Sequence, residues 1–131
     1  MTRWFNIAGA CDPQRHYVIP PERRLVEARA HIKEGRFFAL VSGRQTGKTT
    51  SLRWLRDHYN RAGEVLAAWI DLETAREQPA PAIAFRTILG CLERSIAREL
   101  PALPLPDAAR TEAWLRDPSS ALLRYVRAVC A

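Results

Sequence analysis

Apolar residues along the chain predict two buried strands separated by a helix. Residues 37–41 form a continuous apolar run of strand length, and residues 64–73, apolar from 65 to 70, read as a second buried strand. Between them, from Lys48 onward, apolar residues recur at the spacing of one helix face: Leu52, Leu55, Tyr59 and Ala62. A helix that connects two strands places them parallel in one sheet, with a right-handed crossover. We therefore expect an α/β fold, a three-layer arrangement around a parallel sheet.

Helical periodicity also predicts the elements outside this core. A helix is expected over 22–34, introduced by Pro21 and stopped by Gly35. Further helices are expected over about 81–100, 107–115 and 119–130. We read 1–131 as one domain: an extended lead-in over 1–21, a strand-helix-strand core over 37–72 and a helical part over 81–131. Within the lead-in, 16–19 could form a short strand or an extended lid.

The loop between the first strand and its helix has the composition of a phosphate-binding P-loop (Walker A motif). Residues 42–50 read Ser-Gly-Arg-Gln-Thr-Gly-Lys-Thr-Thr. A helix N-terminus attracts phosphate through its unpaired N–H groups, and a curled loop adds further N–H donors. Gly47 lets that backbone approach a ligand closely. The motif normally has glycine where this chain has Ser42, but Ser is small and Gly43 follows directly.

The residue types after Gly47 indicate the chemistry of the loop. Lys48 is placed to put its ammonium between the β- and γ-phosphates, which makes it the candidate catalytic residue. Thr49 offers a hydroxyl to Mg²⁺. Thr50 is a weaker candidate, whose backbone N–H would face the α-phosphate.

Composition fits a soluble, cytoplasmic protein. The chain has 131 residues, of which 47% are hydrophobic and 26% are charged. No apolar run approaches the length of a membrane span, and the N-terminus lacks a signal-peptide core. The three cysteines are far apart and have no His partner at ligand spacing, so we expect reduced thiols.

The formal net charge of +6 raises the question of a nucleic-acid partner. The charge comes almost wholly from arginines, which are scattered along the chain, often near acidic residues. Solvated helix faces explain this distribution better than a binding patch does. Neither nucleic acid nor a membrane is indicated as a partner, and a protein partner or a homo-oligomer stays open.

The combination of residues 5–25, the P-loop segment 37–55 and Ala-Ala-Trp-Ile-Asp-Leu-Glu at 67–73 resembles the N-terminal portion of bacterial AAA-like P-loop ATPases. These belong to the AAA+/STAND branch of the additional-strand NTPases. Their loop commonly reads Arg-Gln-x-Gly-Lys-Thr-Thr, as residues 44–50 do here. The resemblance covers nearly the whole chain, but its specific part is the P-loop.

The resemblance implies ATP binding with Mg²⁺, and hydrolysis in complete family members. In such ATPases the segment before the first helix often borders the adenine, here 17–19. For Tyr17, an ordinary packed aromatic is an equally good interpretation. The candidate nucleotide-binding residues are Tyr17, Gly43, Arg44, Gln45, Thr46, Gly47, Lys48, Thr49 and Thr50, with Thr49 as the Mg²⁺ ligand.

Hydrolysis in this branch also needs a second acidic (Walker B) motif, an apolar strand that ends in acidic residues. Asp71 and Glu73 are the nearest imitation, and we interpret them as polar residues at a strand end rather than as metal ligands. Residues 119–126 resemble the helix that precedes the acidic strand. We therefore expect a front portion of an ATPase, whose two strands have bare edges or pair with each other.

Two other function classes stay open. A small P-loop kinase would need an acceptor site and a lid rich in arginine, for which the candidates are Arg94, Arg98, Arg110 and Arg116. A nucleotide-binding interaction module that does not turn over, or a truncated gene product, is the other alternative. A GTPase is disfavoured because the base-reading Asn-Lys-x-Asp motif is missing from the sequence.

Overall fold

The chain divides into two compact units, an N-terminal unit, Met1–Ala62, and a C-terminal unit, Gly63–Ala131. The structure is a computed structural model that describes residues 2–7 and 9–131. Met1 and Ala8, which belong to the predicted lead-in, lie outside the described residues.

Helices account for most of the regular structure in both units. The N-terminal unit has a 3₁₀ turn over Pro21–Arg23 followed by two helices: α1, Val26–Lys33, and α2, Lys48–Ala62. The C-terminal unit has four helices: α3, Glu73–Arg76, α4, Pro81–Glu99, α5, Ala108–Trp114, and α6, Pro118–Val129.

The helix predictions are confirmed to within a few residues, because the residues that begin and end helices act as expected. Pro21 opens the 3₁₀ turn that precedes α1. Gly35 and Gly63, at φ 65° and 70°, take the left-handed conformation soon after α1 and α2 end. Asp107 accepts a hydrogen bond from the Arg110 N–H at 2.7 Å and so caps α5. Only the four-residue α3 was not predicted.

The predicted α/β fold with a parallel sheet is wrong. Helix makes up 53% of the structure and strand 2%, and no sheet forms among residues 2–7 and 9–131. The apolar runs at 37–41 and 64–73 are not strands. In the lead-in, an isolated parallel bridge joins Trp4 to His16, with the Tyr17 N–H donating to the Trp4 carbonyl at 3.0 Å.

The first apolar run is exposed to solvent and forms no strand. Phe37 is fully exposed and Val41 is 86% exposed, although composition predicted a buried strand. An apolar run becomes a buried strand only when neighbouring strands pair with its backbone and cover its faces. The described residues provide no such neighbour here, and the sequence pattern does not report on that condition.

The second apolar run is held by a helix instead of by a strand. The Trp69 N–H donates to Glu99 Oε2 at 3.0 Å, and the Trp69 carbonyl accepts from Ser95 Oγ at 2.6 Å. Ser95 and Glu99 are one turn apart on α4, so they face the same extended segment. Two side chains of α4 therefore form the hydrogen bonds that a neighbouring strand would form with this backbone in a sheet.

The core of the C-terminal unit lies between α4 and α6. Leu89 and Ile96 come from one face of α4, and Ala121, Tyr125 and Val129 come from one face of α6. Trp114 of α5 packs edge-on against the Tyr125 ring, with the centroids 6.4 Å apart. In the N-terminal unit the buried residues are Pro21, Leu25, Ala28, Ser51, Leu55 and Tyr59.

We predict that Ser95→Ala lowers the free energy of unfolding by about 1–3 kcal/mol, because it removes a buried donor to the Trp69 carbonyl. Urea denaturation followed by circular dichroism measures the change. Thr87→Ala is the matched control, since the Thr87 hydroxyl bonds only to the Ile83 carbonyl of its own helix. Equal losses in the two variants would contradict the role given to Ser95.

We predict that Tyr125→Phe leaves stability unchanged or raises it by about 1–3 kcal/mol. The Tyr125 hydroxyl is buried and has no hydrogen-bond partner among the described residues. Burial, with a smaller contribution from the charge of Glu93, raises the pKa of Tyr125 above its ordinary value. Tyr59→Phe should instead destabilise, because Tyr59 is also a buried residue and its hydroxyl donates to the Arg29 carbonyl at 3.5 Å. Thermal denaturation of both variants checks the contrast in sign.

Candidate functional site

The loop before α2 is tightly curled through two left-handed residues. Gln45 has φ 59° and Gly47 has φ 82°. Gln45 is the only non-glycine residue with positive φ in the described part of the chain, and such residues are uncommon in proteins. Turns of this kind bring successive backbone N–H groups together into a concavity that suits an anion.

Lys48, the first residue of α2, closes this loop. Its Nζ donates to the Ser42 carbonyl at 2.8 Å and to the Gly43 carbonyl at 2.6 Å. The ammonium therefore lies back over the loop that precedes it, instead of extending into solvent. In residues 2–7 and 9–131, Lys48 forms no ion pair.

Ser42, the departure from the glycine pattern, takes part in the loop's hydrogen bonding. Thr46 Oγ1 donates to the Gly43 carbonyl at 2.9 Å, and the Ser42 hydroxyl forms a short hydrogen bond with that same Thr46 oxygen. Because Thr46 Oγ1 uses its proton on the carbonyl, Ser42 is the donor between the two hydroxyls. Ser42 thus adds a hydrogen bond that stabilises the curled loop, whereas a glycine at this position could not form that bond.

The first turn of α2 places its two threonines differently. Thr49 is exposed, whereas Thr50 Oγ1 accepts a hydrogen bond from the Cys11 N–H at 3.0 Å. The hydroxyl of Thr50 is thus used to hold the lead-in against the start of α2. The role predicted for Thr50 uses its backbone N–H, which this hydrogen bond does not involve.

Arg24 is a loop contact that the sequence analysis missed. Its Nη2 lies 3.4 Å from the Thr46 carbonyl oxygen and 3.5 Å from Ser51 Oγ, and it also packs over Gly47. Arg24 follows Arg23 in the segment 5–25, which has no phosphate-binding motif of its own, and lies 22 positions before Thr46. No local pattern could have separated it from the many other arginines.

A cavity of about 190 Å³ opens between the loop and the start of α1. Its lining consists of Arg24, Leu25, Leu40, Ser42, Thr46, Lys48 and Ser51. Of the predicted site residues, the structure therefore brings Thr46 and Lys48 to this cavity. The other predicted residues of the loop and of the first turn of α2 lie outside the lining: Gly43, Arg44, Gln45, Gly47, Thr49 and Thr50.

Tyr17 is not part of the cavity lining. Its ring packs against Phe5, with the centroids 5.0 Å apart, and 54% of the residue is exposed. The packed-aromatic interpretation of Tyr17 accounts for this contact. Its predicted role beside the adenine stays a prediction.

Asp71 and three of the four candidate arginines of the C-terminal unit have local partners. Asp71 Oδ1 accepts from the Glu73 N–H at 2.9 Å, at the start of α3. Three of the arginines considered for a kinase lid contact neighbours on their own helices: Arg94 with the Cys91 sulfur, Arg98 with Glu99, and Arg110 with the Trp114 ring. These contacts account for Asp71 and the three arginines as structural residues.

Three general features complete the description. Cys11, Cys91 and Cys130 are free thiols. Within the two described ranges, no three His, Cys, Asp or Glu side chains come together as a metal site would require. None of the described helices combines the length and the apolar character that crossing a bilayer demands.

Comparison of the chain with protein-family models, with curated proteins and with solved structures gave no match. The resemblance to AAA-like ATPases therefore remains a prediction from the sequence.

We predict that Gly47→Ala destabilises the protein by about 1–2 kcal/mol, because φ 82° is strained for any residue with a Cβ. The new Cβ would also lie 3.4 Å from Arg24 Nη2. Gly90→Ala on α4 is the control with the opposite expected sign, since alanine is the better helix former by about 1 kcal/mol. Its new Cβ would lie 3.3 Å from Arg94 Nη1, which is the end of a flexible side chain and can move aside. Thermal denaturation distinguishes the two; an unstrained Gly47→Ala would mean that the loop is not held in this conformation.

Proposed function

We propose that this chain binds the phosphates of ATP, as its Mg²⁺ complex, through the loop at 42–47 and the first turn of α2. The observation that carries the proposal is the combined geometry of Gln45, Gly47 and Lys48. Two left-handed residues curl the backbone, and the lysine that follows them folds its ammonium over the same curl. Phosphate is the ligand class that suits such a loop at a helix N-terminus.

The proposal depends on local structure alone. A phosphate needs N–H donors and positive charge, and residues 42–50 provide both without a sheet beside them. The resemblance of the motif to AAA-like loops selects ATP among the nucleotides. We further propose a cytoplasmic location, on the basis of the composition and the three free thiols.

Thr49 is the residue that we assign to the metal. Mg²⁺ keeps several waters and is usually held by one or two protein oxygens together with the phosphates. The exposed Thr49 hydroxyl, directly after Lys48, fits that requirement. The ion would neutralise charge on the β- and γ-phosphates.

Binding without turnover is the second candidate function, and the position of Asp71 favours it. The Asp71 carboxylate is the nearest imitation of the acidic motif, but it hydrogen-bonds to the first turn of α3. Hydrolysis is what the resemblance implies for a complete family member. Measuring Mg²⁺-dependent phosphate release from ATP separates the two candidates, and transfer of the phosphoryl group to an acceptor would instead indicate a kinase.

We predict that Mg-ATP raises the melting temperature of the native chain and that Lys48→Ala abolishes the rise. Ligand at about one hundred times its dissociation constant should stabilise the fold by roughly 2.7 kcal/mol, a shift of several degrees at this size. Differential scanning fluorimetry with and without Mg-ATP measures the shift.

Lys33→Ala is the matched control for this prediction. Lys33 is the other lysine of the chain and lies exposed in the last turn of α1. The Lys33→Ala variant should therefore retain the full rise in melting temperature with Mg-ATP. A cooperative melt that Mg-ATP leaves unchanged in the native chain would refute the proposed function.

A further inference from the structure

The cavity beside the loop has two basic side chains in its lining, Arg24 and Lys48. In the part of the chain that the structure describes, neither forms an ion pair. Like charges at one site repel each other unless an anion is shared between them.

The hydrogen bonds of Arg24 leave most of its binding capacity available. Both contacts, to the Thr46 carbonyl and to Ser51 Oγ, come from Nη2 and are long, at 3.4 and 3.5 Å. A guanidinium carries five N–H donors in a planar fork that matches the oxygens of a phosphate. The two contacts orient the side chain toward the loop without using up that fork.

The position of Arg24 also brings it to the most curled part of the loop. A Cβ built on Gly47 would lie 3.4 Å from Arg24 Nη2, so the guanidinium packs directly over that left-handed residue. Ser51, its other contact, is buried one turn into α2. Arg24 thus joins the segment before α1 to the loop and to the first turn of α2.

We infer that Arg24 is a second cationic residue of the phosphate site, which binds the same polyphosphate as Lys48. The inference rests on the proposed function, and it adds a residue that the P-loop motif does not contain. Lys48 provides a point charge from the helix start, and Arg24 provides a planar donor pair from the segment before α1. The ligand class is a polyphosphate with enough negative charge to meet both cations.

Isothermal titration calorimetry tests the inference by measuring the dissociation constants of Mg-ATP and, in separate runs, of inorganic tripolyphosphate. Arg24→Ala should weaken binding of both ligands about tenfold or more, the effect of losing a charge-assisted hydrogen bond. Arg24→Lys keeps the charge and should lose less than Arg24→Gln, which keeps an N–H donor without the charge. Arg23→Ala, next to Arg24 but outside the cavity lining, should bind as the native chain does.

The outcomes separate this inference from the proposed function. If Arg24→Ala or Arg24→Gln binds both ligands like the native chain while Lys48→Ala does not, Arg24 only holds the loop and the inference is overturned. An equal loss in Arg23→Ala would also overturn it, because the effect would then be one of net charge. If the native chain binds neither ligand, the proposed function and the inference fall together.

Discussion

An extended backbone that forms no sheet must still satisfy its N–H and C=O groups, because a buried group left unpaired costs about 1–3 kcal/mol. In this chain, side chains of helical residues form hydrogen bonds with the backbone of the extended segments. Thr50 accepts from the partly buried Cys11 N–H, and two side chains of α4 pair with the partly buried backbone of Trp69. Lys48 donates to two exposed carbonyls before α2. Both units depend on such bonds to hold their extended segments in place.

The helices could be predicted from the sequence because their determinants are local. Apolar spacing, Pro21 before α1 and Asp107 before α5 all act within a few residues of the element that they define. The sheet could not be judged in the same way. Residues 37–41 have the composition of a buried strand, but a strand also needs partners far along the chain, and periodicity contains no information about them.

The same division between local and distant determinants runs through the candidate site. The curl at Gln45 and Gly47 and the helix start at Lys48 belong to one short segment, so the motif was sufficient to indicate them. Arg24 reaches the loop only through the fold of the N-terminal unit. Thr50 shows a third case, in which a residue predicted for one role uses its side chain for another.

Lys48 is held before any ligand arrives. Its ammonium has three protons, and two of them already point at carbonyl oxygens. Ordering a flexible lysine usually costs on the order of 1 kcal/mol when a ligand binds. Here that loss of freedom is incurred during folding, so an anion entering the curl would meet a preorganised charge with one proton still to donate.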